Sequence, residues 1–191
     1  MRLGILVSGR GSNLEAILRA RPAGIEPVVV VSNRRAVRAL DVASRHGIPA
    51  RVLRRADFGG DASARDAAIG RALTDAGVEL AILAGYDQLL SPSYFEAYDG
   101  RTINIHPSLL PAHGGAGMLG LAVHRAVLES GDRETGATIH EVRTELDAGA
   151  VLSQVRVAVR PDDDAETLAA RVLEAEHELL VATLERLASA R

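Results

Sequence analysis

Asn104 and His106 stand two residues apart at the end of the apolar run Thr102 to Ile105, and Pro107 follows at once. Residues i and i+2 of a strand project to the same side. An amide NH2 and a titratable ring therefore converge on one oxygen, while Pro107 stops strand pairing and sets the exit of the chain. Two such groups beside a carbonyl are the equipment of acyl transfer, in which the carbonyl oxygen becomes an oxyanion that needs hydrogen-bond donors. The pattern Asn-x-His is short and common, and by itself it more often satisfies backbone groups at a strand end. Its meaning depends on what else the chain carries.

Two further segments matter. Near the amino end, Ser8-Gly9-Arg10-Gly11-Ser12-Asn13 follows a short apolar run and precedes Leu14, Ile17 and Leu18 at helical spacing. A glycine loop opening a helix places backbone N–H groups and the positive end of the helix dipole toward an anion. It lacks the Lys of a P-loop and the full G-x-G-x-x-G of a dinucleotide site. Near the carboxyl end, Asp147 precedes Ala148-Gly149. Asp in that setting is ordinarily a turn residue, and the glycine lets the loop bend back over the strand ends. Glu174 and His177 have helical metal-ligand spacing, but with one copy and no Cys partner they read as plain helix. His46, His124 and His140 read as surface or helix-end residues, and Arg34, Arg35 and Arg38 as a solvated face near a strand end.

Apolar runs alternate with helical periods along the first half. Arg2 to Val7, Val28 to Val31, Arg51 to Leu53 and Leu80 to Ala84 are strand-like; Val37 to His46 and Ala64 to Ala76 are helical and stop at Gly47 and Gly77. This alternation predicts a mainly parallel, doubly wound α/β sheet of Rossmann-like type, with ligands beyond the carboxyl ends of the strands. Ala137 to Val142 and Ala150 to Val159 are two strands flanking a charged turn, an antiparallel addition in the carboxyl-terminal half. Asp162-Asp163-Asp164 then heads a long helix whose apolar stripe is Leu168, Val172, Leu179, Leu180, Leu184 and Leu187. The expectation is one domain over residues 1–191, with a phosphate- and nucleotide-binding half over 1–100 and a catalytic half over 101–191.

Composition bounds the chemistry. A chain of 191 residues buries a normal core without staples. With no Cys there is no disulfide framework or thiolate metal site, which fits a reducing compartment. No run approaches the roughly 20 apolar residues of a membrane span, and no leader segment precedes the first strand. A net charge of -3 with both signs interspersed offers no basic face to nucleic acid. The expected protein is cytoplasmic, a monomer or homodimer, and takes small-molecule partners with no nucleic acid or membrane.

The segments Leu6 to Leu14, Asn104-Ile105-His106-Pro107-Ser108-Leu109-Leu110-Pro111 and Glu145 to Gly149 together resemble the folate-dependent formyltransferases. Among these, the glycine loop is similar to that of the glycinamide ribonucleotide formyltransferases. The resemblance runs from about residue 3 to about residue 180. It implies formyl transfer from 10-formyltetrahydrofolate, a co-substrate, to the amine of a glycinamide ribonucleotide in purine synthesis, with no metal. It implies Asn104, His106 and Asp147 as catalytic residues, with Asp147 favouring the charged imidazole and relaying protons through water. Gly11, Ser12 and Asn13 would hold the ribonucleotide phosphate and Glu176 its glycinamide end. Arg65, Asp87, Gln88, Leu89, Leu90 and Asn104 would contact the folate.

Two features depart from the family pattern. Asp87-Gln88 stands where an uncharged residue and a cation are usual, which leaves the anionic folate tail to Arg65 alone or weakens its binding. His113 to Gly120 is longer and richer in glycine than the usual loop, a mobile lid on one reading and a loose insertion on another. Rival activities remain at this level: hydrolysis of the formyl donor by the same three residues, formyl transfer to a tRNA-borne or sugar amine, for which an added domain is usual, and nucleotide binding without catalysis.

Overall fold

The computed structural model describes residues 1–190. Its strands are β1 (Arg2–Val7), β2 (Glu26–Ser32), β3 (Ala50–Val52), β4 (Leu80–Leu83), β5 (Arg101–His106), β6 (Glu134–Glu141) and β7 (Val151–Ala158). Between and after them run helices α1 (Ser12–Ala20), α2 (Arg38–Arg45), α3 (Ala62–Asp75), α4 (Pro92–Ala97), α5 (Leu121–Ser130) and α6 (Ala165–Ser189), with a 3-10 turn at Arg55–Phe58. The strands form one sheet in the order β3-β2-β1-β4-β5-β6-β7. β1 is parallel to β2 and β4, β2 is parallel to β3, and β7 is antiparallel to β6. This is the mainly parallel α/β sheet with an antiparallel addition that the hydrophobic alternation predicts.

Contacts divide the chain into two compact units, one of Met1–Ile103 with the residues from Leu184 onward, the other of Asn104–Thr183. The boundary falls inside β5. In the first unit, Leu3, Ile5, Leu6 and Val7 are all fully buried along β1. Consecutive burial of this kind belongs to a strand covered on both faces, and it explains why the run reads as continuously apolar. Leu14 and Ile17 of α1, Ala39 and Ala43 of α2, and Ile69 and Leu73 of α3 complete that core. Strand order reverses between β1 and β4, the place where α/β sheets open a crevice. The loops leaving these two strands are tied together: Ser8 N donates to the Gly85 carbonyl at 3.1 Å, and Asp87 N donates to Ser8 Oγ at 2.9 Å.

In the second unit β6 is buried from Thr135 to His140, whereas edge strand β7 is more exposed. α6 starts as its acidic preface predicts. Asp164 Oδ1 accepts from Thr167 N at 2.8 Å and Thr167 Oγ1 accepts from Asp164 N at 3.0 Å, a reciprocal cap. Of its predicted stripe, Leu168, Val172, Leu180 and Leu184 are buried, and Leu179 and Leu187 half-buried. Val127 of α5 joins Leu168 and Val172 in one apolar cluster. The periodicity does not disclose α4 or α5; α4 has six residues, fewer than two turns, so it completes no apolar repeat. No helix among the described residues is long and apolar enough to cross a membrane.

Ile5→Ala, at the fully buried centre of β1, is expected to cost about 2–5 kcal/mol of unfolding free energy. Val151→Ala at the exposed start of β7 should stay within about 0.5 kcal/mol. Urea denaturation of the two variants measures the difference.

Candidate active site

β5 delivers Asn104 and His106 at its carboxyl end. Asn104 Nδ2 lies 3.0 Å from His140 Nε2. Nδ1 of the same ring lies 2.8 Å from the Glu141 carbonyl, which only accepts, so Nδ1 carries a hydrogen. His140 Nε2 is also 3.4 Å from Asp147 Oδ1. The other carboxylate oxygen, Oδ2, accepts from Gly115 N at 2.8 Å and lies 3.8 Å from His106 Nδ1. Finally, His106 Nε2 donates to the His113 carbonyl at 2.9 Å. The three residues of the sequence reading are thus brought together, and His140 is the middle member that links Asn104 to Asp147.

Local backbone makes this possible. Asp147 has φ 51°, a left-handed conformation that Asp tolerates better than most residues. At Gly149 a Cβ would fall 1.8 Å from the Glu141 carbonyl oxygen, so only glycine allows the chain to pass there. Glu141 N then donates to the Ala150 carbonyl at 2.9 Å and closes the loop at its base. Burial alone would raise the Asp147 pKa. Hydrogen bonds from His140 and the Gly115 N–H, with the charges of His106 and His140, outweigh it and hold the carboxyl below its usual range.

Two histidines correct the sequence reading. His140 is not a surface residue but is 2% exposed. β6 is covered on both faces, so alternation fails there, and the register slips between Ile139 and His140, the kind of irregularity that re-aims a side chain. His124 is likewise buried, on a helix the periodicity did not disclose, and its Nδ1 has no hydrogen-bond partner among the described residues. Burial pushes its imidazole pKa down, and the charge of His106 pushes the same way. The glycine-rich segment is anchored at its start, by His113 to His106 and by Gly115 to Asp147. Glu176 lies buried on α6.

The remaining predicted residues belong to the first unit. Gly11 has φ 74°, and a Cβ there would fall 2.7 Å from Ala39 Cβ, so the loop depends on this glycine twice over. The first N–H groups of α1 lack partners within the helix and point outward with its dipole. Arg65 is not a solvent-facing cation; it is 2% exposed, and Nε donates to Asp66 Oδ1 at 2.7 Å. Its Nη1 reaches Gln88 Oε1 at 3.3 Å and its Nη2 the Leu89 carbonyl at 3.4 Å, while Asp66 Oδ2 accepts from Ser91 N at 2.8 Å. The buried pair therefore clamps the chain over 88–91. It leaves Leu89 half-exposed and Leu90 buried. Asp87 accepts from Asn33 Nδ2 at 2.7 Å and pairs with Arg34. Burial raises its pKa, but the bonds from Asn33 and Ser8 and the Arg34 charge prevail and lower it. Arg35 and Arg38 pair with Asp57 and Glu15. Among the described residues no group of His, Asp and Glu is arranged to hold a metal.

The sequence pattern of the family described as "Formyl transferase" matches residues 1–184. The chain is 42% identical over 192 residues to the trifunctional purine biosynthetic protein adenosine-3 of Gallus gallus, covering 99% of this chain and 18% of that protein. It is 36% identical to the phosphoribosylglycinamide formyltransferase of Haemophilus influenzae, covering 93% of this chain and 82% of that enzyme. The crystal structure of glycinamide ribonucleotide transformylase 1 from Symbiobacterium toebii superposes with a TM-score of 0.91 at 35% identity, over 100% of this chain and 89% of that one.

Because the His140 hydrogen bond is the largest influence lowering the Asp147 pKa, His140→Ala should raise the Asp147 midpoint in a carboxyl-carbon NMR titration. A carboxyl depressed in the folded state adds stability above its ordinary value of about 3.9 and loses it as pH falls through the folded value. The variant should therefore forfeit that contribution, and acid unfolding should begin at higher pH than in the wild type.

Proposed function

The chain belongs to the formyl transferase family, and from that premise we propose that it transfers the formyl group of 10-formyltetrahydrofolate to the amine of 5-phosphoribosylglycinamide. The observation that carries the reading is the line of contacts Asn104, His140, Asp147, His106, which sets two hydrogen-bond donors and a carboxylate around one strand end. The neutral acceptor amine attacks the formyl carbon, and the carbonyl oxygen becomes an oxyanion. Asn104 Nδ2 turns from His140 and His106 Nε2 from the His113 carbonyl to donate to that oxygen. Each donor gives up a protein acceptor for the oxyanion, so it changes partner instead of going without one. Asp147 orders the water that carries the proton from the attacking nitrogen to N10 as the carbon–N10 bond breaks.

Gly11, Ser12 and Asn13 bind the ribonucleotide phosphate in this reading, and Glu176 receives its glycinamide end. The chain over 87–90 contacts the folate, with Arg65 acting through the backbone it clamps and Asn104 from β5. Residues 1–100 are then the phosphate- and nucleotide-binding half and 101–191 the catalytic and folate-binding half, with Arg65 and 87–90 adding folate contacts from the first. No metal takes part, and the enzyme is a cytoplasmic monomer or homodimer acting on small molecules.

Incubation with 10-formyltetrahydrofolate, with and without the ribonucleotide, tests the assignment. Folate product should form only with the ribonucleotide present; equal release without it would mean hydrolysis, and binding without turnover a non-catalytic module. His106→Ala should lower kcat about a hundredfold to a thousandfold, the usual cost of one oxyanion donor, with KM for either substrate little changed. Asn13→Ala should raise the ribonucleotide KM about tenfold or more, as expected for a lost hydrogen bond to a charged group, and leave the folate KM alone. Asn13 is the sharper probe because any side chain at Gly11 would also strain the backbone and strike Ala39.

A further inference from the structure

Among the described residues Arg21, His113 and Asp147 are the non-glycine residues of positive φ, at 49°, 52° and 51°. Arg21 ends α1, where a left-handed residue is common. The other two face the two nitrogens of the His106 ring: Asp147 Oδ2 lies 3.8 Å from Nδ1, and the His113 carbonyl accepts from Nε2 at 2.9 Å. A left-handed backbone is uncommon for a residue with a Cβ, and it persists where the surroundings hold it. The Gly115 N–H and His140 hold Asp147. Before His113 the chain is pinned as far as Ala112, whose N donates to the Leu109 carbonyl at 3.0 Å and whose carbonyl accepts from Ser108 Oγ at 2.6 Å. The same hydroxyl is 3.4 Å from the His113 carbonyl and so favours Ala112. After His113 come Gly114 and Gly115, which resist backbone rotation least. The His113 ring supplies the remaining hold: its Nε2 donates at 2.7 Å to Oδ2 of Asp132, ahead of β6. That bond is also the largest influence holding the Asp132 carboxyl below its usual range, so the acceptor is a carboxylate.

We propose that Asp132 and the His113 side chain are positioning residues for His106: the pair fixes the His113 carbonyl, and the carbonyl keeps a hydrogen on Nε2 of the imidazole. A carbonyl only accepts, so Nε2 carries a hydrogen while the two are in contact. Without that acceptor a neutral ring can place its one hydrogen on Nδ1, toward Asp147 Oδ2, and Nε2 is then bare. A bare Nε2 meets an oxyanion lone pair to lone pair and stabilises nothing. With the carbonyl in place, Nε2 passes to the oxyanion with its hydrogen already on the nitrogen that needs it. The hold on the ring stands on these contacts alone, whereas its consequence for rate rests on the formyl-transfer reading with His106 as donor.

Nitrogen NMR of the histidine rings in the whole chain, at alkaline pH where imidazole is neutral, reads the tautomer directly, and steady-state kinetics read its consequence. The wild type should show His106 with its hydrogen on Nε2. Asp132→Ala should shift population to the Nδ1 tautomer and lower kcat about tenfold to a hundredfold, as for a reacting group held out of place. The KM values for the ribonucleotide and the folate should stay as they are. Asp132→Asn keeps an acceptor oxygen for the His113 ring, so it should restore the Nε2 tautomer and most of kcat. A wild-type tautomer in Asp132→Ala would overturn the proposal. So would a loss of kcat that comes with raised KM for both substrates, or one that Asp132→Asn does not recover, since either marks a disturbed structure and not a displaced His106. The ring signals need no substrate, so they decide the positioning role separately from the activity, which the ribonucleotide-dependence experiment decides.

Discussion

The Asp147 carboxylate is the interaction on which the side chains at the carboxyl end of β5 and the loop beside them depend. One oxygen faces His140 and the other faces both the Gly115 N–H and the Nδ1 of His106. A carboxylate has several lone-pair directions and no hydrogen to give when charged. It can therefore organise two rings and a loop at once, provided that it stays ionised while half-buried. The donors around it secure that, because each is worth more when the oxygen is charged. Asn104 is oriented at one remove, through the His140 ring, whose Nδ1 hydrogen is committed to the Glu141 carbonyl.

An analogous economy of parts holds the first unit. Ser8 joins the loop after β1 to the loop after β4 with one donor and one acceptor, and Asp87 extends the link to Asn33 and Arg34 beyond β2. Loops from three neighbouring strands are thus locked at the carboxyl edge, where open α/β sheets bind ligands. The Arg65 and Asp66 pair does the same for 88–91. A buried pair of this kind contributes modestly to stability in itself, but removal of either partner strands a charge in the interior. Its positional role follows from the fixed fork of the guanidinium, which reaches Asp66, Gln88 and the Leu89 carbonyl together.

The alternation of apolar runs with helical periods was legible in the sequence, as were the glycine loop, the antiparallel pair and the capped long helix. All of these rest on local rules, namely side-chain period, dipole and turn chemistry. Asn104 and His106 were legible for the same reason, since two residues of one strand share a side whatever the rest of the fold does. By contrast, Asp147 could be attached to them only by resemblance, because its approach needs a left-handed residue and a glycine passing within a carbonyl's reach of Glu141.

Tertiary structure alone decided the roles of His140 and Arg65. His140 reads by default as a surface residue, and Arg65, which the resemblance offers to an anionic folate tail, as a cation free to meet it. Both readings assume that polar side chains meet water. β6 is covered on both faces and slips its register beside His140, and Asp66 meets Arg65 in the interior, so each polar group found a protein partner instead. Local sequence determines which groups the backbone can present, whereas burial and pairing between distant segments determine what those groups meet, and that information exists only once the chain has closed on itself.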